Sequence, residues 1–193
     1  MDVQVEMTVE CHEQTEASPD EVYVVSGVVR RNGGAVARCV WGGTLARRDA
    51  PASVTLPFEV WRGALYPGDA AAIIIILVEQ DGMDYAPGIE FARQVARRTG
   101  GCLATISESE GLETLASVDY HPLVNRASSA FGCLKKDRLI GALVVGLTRH
   151  VDGRLKTHVH PIASAEVIET HRVRFSGENG VYVGVMRVVE PEV

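Results

Sequence analysis

Ala70-Ala71-Ala72-Ile73-Ile74-Ile75-Ile76-Leu77-Val78 is the stretch on which the fold turns. Successive β-branched isoleucines lose side-chain freedom in an isolated helix and suit the pleated surface of a strand. A strand with no polar alternate position has no face to give to water, so the run predicts a central strand buried on both sides. It is far short of the ~20 apolar residues that a membrane-spanning helix needs. Tyr66-Pro67-Gly68-Asp69 turns the chain into it, and Val54 to Trp61 supplies the strand before that turn.

Working outward, period-two alternation marks the N-terminal segment. Val3, Val5, Met7, Val9 and Cys11 fall on one side and Gln4, Glu6, Thr8 and Glu10 on the other, as in a half-buried strand. Val22 to Val29 and Ala35 to Leu45 flank Asn32-Gly33-Gly34, which supplies the positive φ angles of a tight hairpin. From Leu139 onward the pattern returns: Ile140 to Leu147, an Asp152-Gly153 turn, Leu155 to His160, Val167 to Phe175, an Asn179-Gly180 turn, and Val181 to Val189. Strands do not alternate regularly with helices, which excludes a doubly wound parallel sheet. The expected fold is therefore mainly β, an antiparallel β-sandwich of about eight strands forming a single domain over residues 1–193.

A helical insertion over 85–136 interrupts the strands. Pro87 opens a helix from Gly88 to Arg98 with Phe91, Ala92, Val95 and Ala96 on its apolar face, and Gly100-Gly101 is read as its stop. Ser107-Glu108-Ser109-Glu110 offers a capping box for a second helix carrying Leu112, Leu115 and Ala116. So long an excursion reads as a functional elaboration on a scaffold that would fold without it.

The 193 residues are 46% apolar and 23% charged, which describes one globular domain and excludes disorder, collagen and coiled coil. A net charge of −6 argues against a nucleic-acid partner held by bulk electrostatics. Residues 1–21 hold seven acids and no Lys or Arg, whereas Arg30, Arg31, Arg38, Arg47 and Arg48 fall in a stretch without acids. The two groups are read as solvated faces that attract each other across neighbouring strands. Four cysteines without a CxxC pair are read as reduced, mostly buried apolar residues. With no secretory n-region or h-region at Met1 to Glu6, the expected location is the cytoplasm.

Three stretches carry a resemblance. They are Ser18-Pro19-Asp20-Glu21-Val22-Tyr23-Val24, Leu77-Val78-Glu79-Gln80-Asp81 and Asp137-Arg138-Leu139-Ile140-Gly141. In order, they resemble segments of the calcium- and lipid-binding β-sandwich domains named after the second conserved region of protein kinase C. The resemblance covers everything but the insertion. It implies a calcium site whose ligands would be Asp20, Glu79, Asp81 and Asp137, with Glu13 or Glu16 at the first loop. Ca²⁺ takes six to eight hard oxygen ligands, and carboxylates from several loops can supply them. Many members of that family lack the ligands and make only protein or lipid contacts, so calcium is optional, and a membrane surface is admitted with no residue pattern behind it.

A second pattern follows Gly153. His158-Val159-His160 places two imidazoles on one face of a strand, and Glu166 and His171 come after. This resembles the first metal motif of cupin barrels, which implies a divalent metal on His158, His160 and Glu166 with His171 nearby. The second cupin motif has no counterpart before the chain ends. No P-loop, GxGxxG or nucleophile elbow occurs. The leading expectation is thus a non-enzymatic binding or structural module that serves a protein partner or homo-oligomeric self-assembly. The alternative is a small metal-dependent enzyme using His158 and His160.

Overall fold

The structure, a computed structural model, describes residues 2–14, 20–31, 36–45, 56–80, 86–105, 118–125, 137–177 and 180–190. In chain order the elements are β1 (Asp2–Gln14), β2 (Asp20–Arg30), β3 (Val36–Leu45), β4 (Leu56–Ala64), β5 (Ala70–Gln80) and α1 (Ala86–Thr105). A short helix, α2, spans residues 121–125. There follow β6 (Asp137–Arg149), β7 (Leu155–Ala163), β8 (Ala165–Glu169), β9 (Arg172–Ser176) and β10 (Gly180–Val189). The strands form two five-stranded sheets of order β4-β1-β10-β9-β8 and β3-β2-β5-β6-β7, with antiparallel pairing throughout. The mainly β, antiparallel sandwich with a helical insertion is as expected.

β5 lies at the middle of the second sheet, between β2 and β6. Ile73, Ile75 and Leu77 point between the sheets and join Val5, Met7, Phe175 and Tyr182 in the sandwich core. Ile74, Ile76 and Val78 point the other way and join Tyr23, Val25, Phe91 and Val95 in a second core beneath α1. All four isoleucines are fully buried. At about 1.5–3 kcal/mol for each buried aliphatic side chain, both faces of this strand drive folding. The molecule is therefore three layers, sheet on sheet on helix. A chain lacking 86–105 would present Ile74, Ile76 and Val78 to water, so the insertion is half of a core and not a removable ornament.

α1 runs through Gly100-Gly101 to Thr105 instead of stopping there. The reason is close packing: a Cβ at Gly100 would come within 3.1 Å of Val29 Cγ1, and one at Gly88 within 2.9 Å of the Tyr23 ring. These glycines let the helix lie down on β2, and helical hydrogen bonding continues past the first of them. The proposed helix around 107–116 lies outside the described residues.

The turns follow their local chemistry. Asp69 N–H donates to Tyr66 O at 2.9 Å and Tyr66 N–H to the Asp69 carboxylate at 2.9 Å. Gly153 adopts φ +85° in the turn closed by the 2.9 Å bond from His150 N–H to Arg154 O. The stretch from Val167 to Phe175 differs from expectation. It is two strands, β8 and β9, reversing at Thr170-His171 with Ile168 as an extra residue in β8. No Gly or Pro marks that reversal.

Charge pairing also differs, because β1 pairs with β4 and β10 and not with β2 or β3. On the outer face of the first sheet, Glu6 lies opposite Arg187, Glu166 opposite Arg174 and Glu169 opposite Arg172. Arg30 instead lies over the Trp61 ring at 5.9 Å and donates to Ala64 O. Among the described residues no helix is long and apolar enough to cross a membrane.

Ile74→Ala and Ile75→Ala test the two-sided burial of β5. Each is expected to lose about 2–5 kcal/mol in urea denaturation although they face opposite layers. A loss below about 1 kcal/mol for either would mean that its face of β5 is not a core.

Candidate functional site

The backbone brings three of the acids of the calcium reading to one end of three adjacent strands. Asp20 begins β2, Glu79 stands near the end of β5 opposite Val22, and Asp137 begins β6 opposite Gln80. The side chains of Asp20 and Asp137, and all of Asp81 and Glu16, lie outside the described residues. Glu13 is exposed on β1 opposite Val181.

Glu79 is only 5% exposed and shares the sandwich-facing side of β5 with its register partner Val22. Its carboxylate lies 3.8 Å from the guanidinium of Arg138, directly across on β6. A buried carboxylate needs such a partner, since an isolated charge there would be neutralised or expelled. A cation at this end of the sandwich would therefore compete with Arg138 for Glu79.

The histidine set is divided between the sheets. His158 and His160 sit on β7, the edge of the second sheet. Leu155 and Val159 of that strand pack into the sandwich core, so His158, His160 and Ile162 face the helical layer. Glu166 is exposed on β8 of the first sheet, opposite Arg174, and His171 is exposed at the β8–β9 reversal. The four do not converge, and among the described residues no group of three or more His, Cys, Asp or Glu could hold a metal ion. The reason is the corner at Ser164, where the chain leaves one sheet for the other. Ser164 has φ +46°, the one positive value at a non-glycine among the described residues.

What His160 meets is Tyr120. The ring centroids are 6.0 Å apart at an interplanar angle of 38°. Tyr120 is 4% exposed and its hydroxyl lies 2.9 Å from Thr99 Oγ1 on α1. Thr99 spends its hydroxyl proton on Val95 O at 2.8 Å, so the phenol is the donor in the pair. Burial pushes the Tyr120 pKa up. Burial pushes the His160 pKa down, and His158 two residues away adds to the effect.

Beside this contact is a cleft of about 380 Å³. Its apolar wall is Val124 from α2, Leu139 from β6 and Ile162 from β7. His121, Ser164 and Ser176 supply polar groups. The insertion and three strand ends thus build it jointly. Sequence reasoning missed the helical side of this cleft. One signal was present: Asp119 stands before Tyr120-His121-Pro122, and its Oδ1 accepts the His121 N–H at 3.0 Å, an Asx turn leading into a first-turn proline.

No protein-family model, curated protein or solved structure matches this chain.

Arg138→Met is expected to lower stability by about 1–3 kcal/mol by leaving the buried Glu79 carboxylate without its guanidinium. Adding Glu79→Gln should recover most of that loss in denaturant titrations, because the amide carries no charge to strand. Strictly additive single effects would mean that the two side chains do not interact.

Proposed function

We propose that this chain is a non-enzymatic binding module whose helical insertion and strand ends receive an apolar side chain of a protein partner. One observation carries the reading: Val124, Leu139 and Ile162 form an apolar wall and His121, Ser164 and Ser176 supply hydrogen-bonding groups around a single cleft. Apolar walls with a few polar groups are the general anatomy of a binding site, and at about 380 Å³ this one sits at the small end of the range, a size for a side chain. The sandwich acts as the scaffold that holds α2 against β6, β7 and β9. Calcium is a separable part of the proposal, supported by the placement of Asp20, Glu79 and Asp137 at one end of β2, β5 and β6.

Ile162→Trp puts a larger side chain into the cleft. Proteins retained from the source cells by the immobilised wild-type chain should be depleted about tenfold with the variant, equivalent to about 1.4 kcal/mol of binding, while its circular dichroism spectrum stays that of the folded wild type. An identical retained set for both would remove the cleft from the proposal. In parallel, excess Ca²⁺ should raise the melting temperature of the wild type and not of Glu79→Gln, since only a ligand of the folded state stabilises it. No rise in the wild type would strike calcium from the reading and leave the cleft untouched.

A further inference from the structure

His160 is held among groups that tolerate its neutral form. From β7 itself come His158, on the same face, and the exposed Lys156. From residues 118–125 come the Tyr120 ring and, on either side of it, the exposed Asp119 and His121. From α1, Thr99, Cys102 and Arg98 surround Tyr120, not His160. On β6 the register partner of His160 is Val144, an apolar member of the helix-side core. No carboxylate among these influences the imidazole, and among the described residues the one titratable neighbour that does, His158, repels its charge. The Tyr120 ring gives little in return: a centroid separation of 6.0 Å with a tilted ring is at the outer limit of cation–π attraction.

Tyr120 is in turn the most deeply buried anchor of residues 118–125, and the half-buried Val118, Leu123 and Val124 pack beside it on the helix-side core. Its hydroxyl reaches Thr99 on α1, its ring lies against His160 on β7, and its carbonyl accepts the N–H groups of Leu123 and Val124 that open α2. His121, the next residue, and Val124, one turn on, belong to the cleft.

We propose that His160 is a proton-operated latch: neutral, it seats Tyr120 and so holds α2 as one wall of the cleft, and on protonation it releases Tyr120 and opens that wall. The proton comes from solvent and no bond other than N–H forms. The sign follows from the neutral form being the one the fold prefers. The folded state binds fewer protons at this site than the unfolded chain, so the contribution is present above the ordinary histidine pKa of about 6.5 and is lost as pH falls below it. The regulatory meaning rests on the cleft being the binding surface, whereas the latch itself is measured without any partner.

The test is hydrogen exchange of residues 121–125 in the full chain between pH 7.5 and 5, corrected for intrinsic exchange, together with an NMR titration of the His160 ring. Protection of these amides should fall about tenfold or more, with a midpoint matching the His160 titration and lying below about 6.5. His160→Gln, which cannot take the proton, should show a change of less than about twofold over the same range. His158→Gln should move the midpoint upward by removing the repelling neighbour. Unchanged protection in the wild type, a His160 midpoint at or above the ordinary value, or an equal loss in His160→Gln would each overturn the latch. If the latch holds while Ile162→Trp retains the same proteins as the wild type, the binding role of the cleft fails and the switch stands.

Discussion

No side chain in the middle of β5 has water to turn to. Ile73 and Ile75 need a facing sheet, Ile74 and Ile76 need a cover on the other side, and neither requirement can be met by the two strands that flank β5. This constraint makes α1 obligatory. It also explains why small residues line the contact, with Gly88, Ala92, Ala96 and Gly100 letting the helix axis come down close to Tyr23 and Val29. Placing a helix so near a sheet costs conformational entropy, and the helix-side core offsets it with buried aliphatic and aromatic surface.

The cleft follows from where that cover is placed. α1 packs against β2, β5 and β3, leaving β6 and β7 to residues 118–125. Those residues are fastened by one buried aromatic ring, one phenolic hydrogen bond and the half-buried Val118, Leu123 and Val124, a smaller attachment than the row of fully buried positions under α1. Elements with few buried contacts are the ones that open at low free-energy cost, and binding surfaces are drawn from them. The opposite arrangement holds on the outer face of the first sheet, where Glu6, Glu166 and Glu169 face Arg187, Arg174 and Arg172 across neighbouring strands. That face sets opposite charges at register-opposed positions in reach of solvent.

Local chemistry was legible in the sequence, and long-range partnership was not. The isoleucine run, the Tyr66 to Asp69 turn, the Asp152-Gly153 reversal and the Phe91, Ala92, Val95, Ala96 face all declare themselves within a few residues. Which sheet a strand joins is decided by pairing between distant segments, so the acids of β1 lie in a different sheet from Arg30 and Arg38. The missing side chain of Gly100 suits the end of a helix and a close helix–strand contact alike, and only the neighbouring Val29 distinguishes the two. The Ser164 corner has no glycine to announce it, yet it separates His158 and His160 from Glu166 and His171. Tyr120 and Thr99 meet only because α1 and α2 converge over the second sheet, and nothing in their spacing reveals it.

Consecutive isoleucines of one strand live in two different cores. Methyl-labelled isoleucine NOESY spectra of the full chain test this arrangement. Ile74 and Ile76 should show cross-peaks to residues of the helix-side core such as Phe91 and Val95, and Ile73 and Ile75 to residues of the sandwich core such as Met7 and Phe175. Isoleucines that share one set of neighbours, or two of them with methyl groups open to water, would contradict the three-layer account.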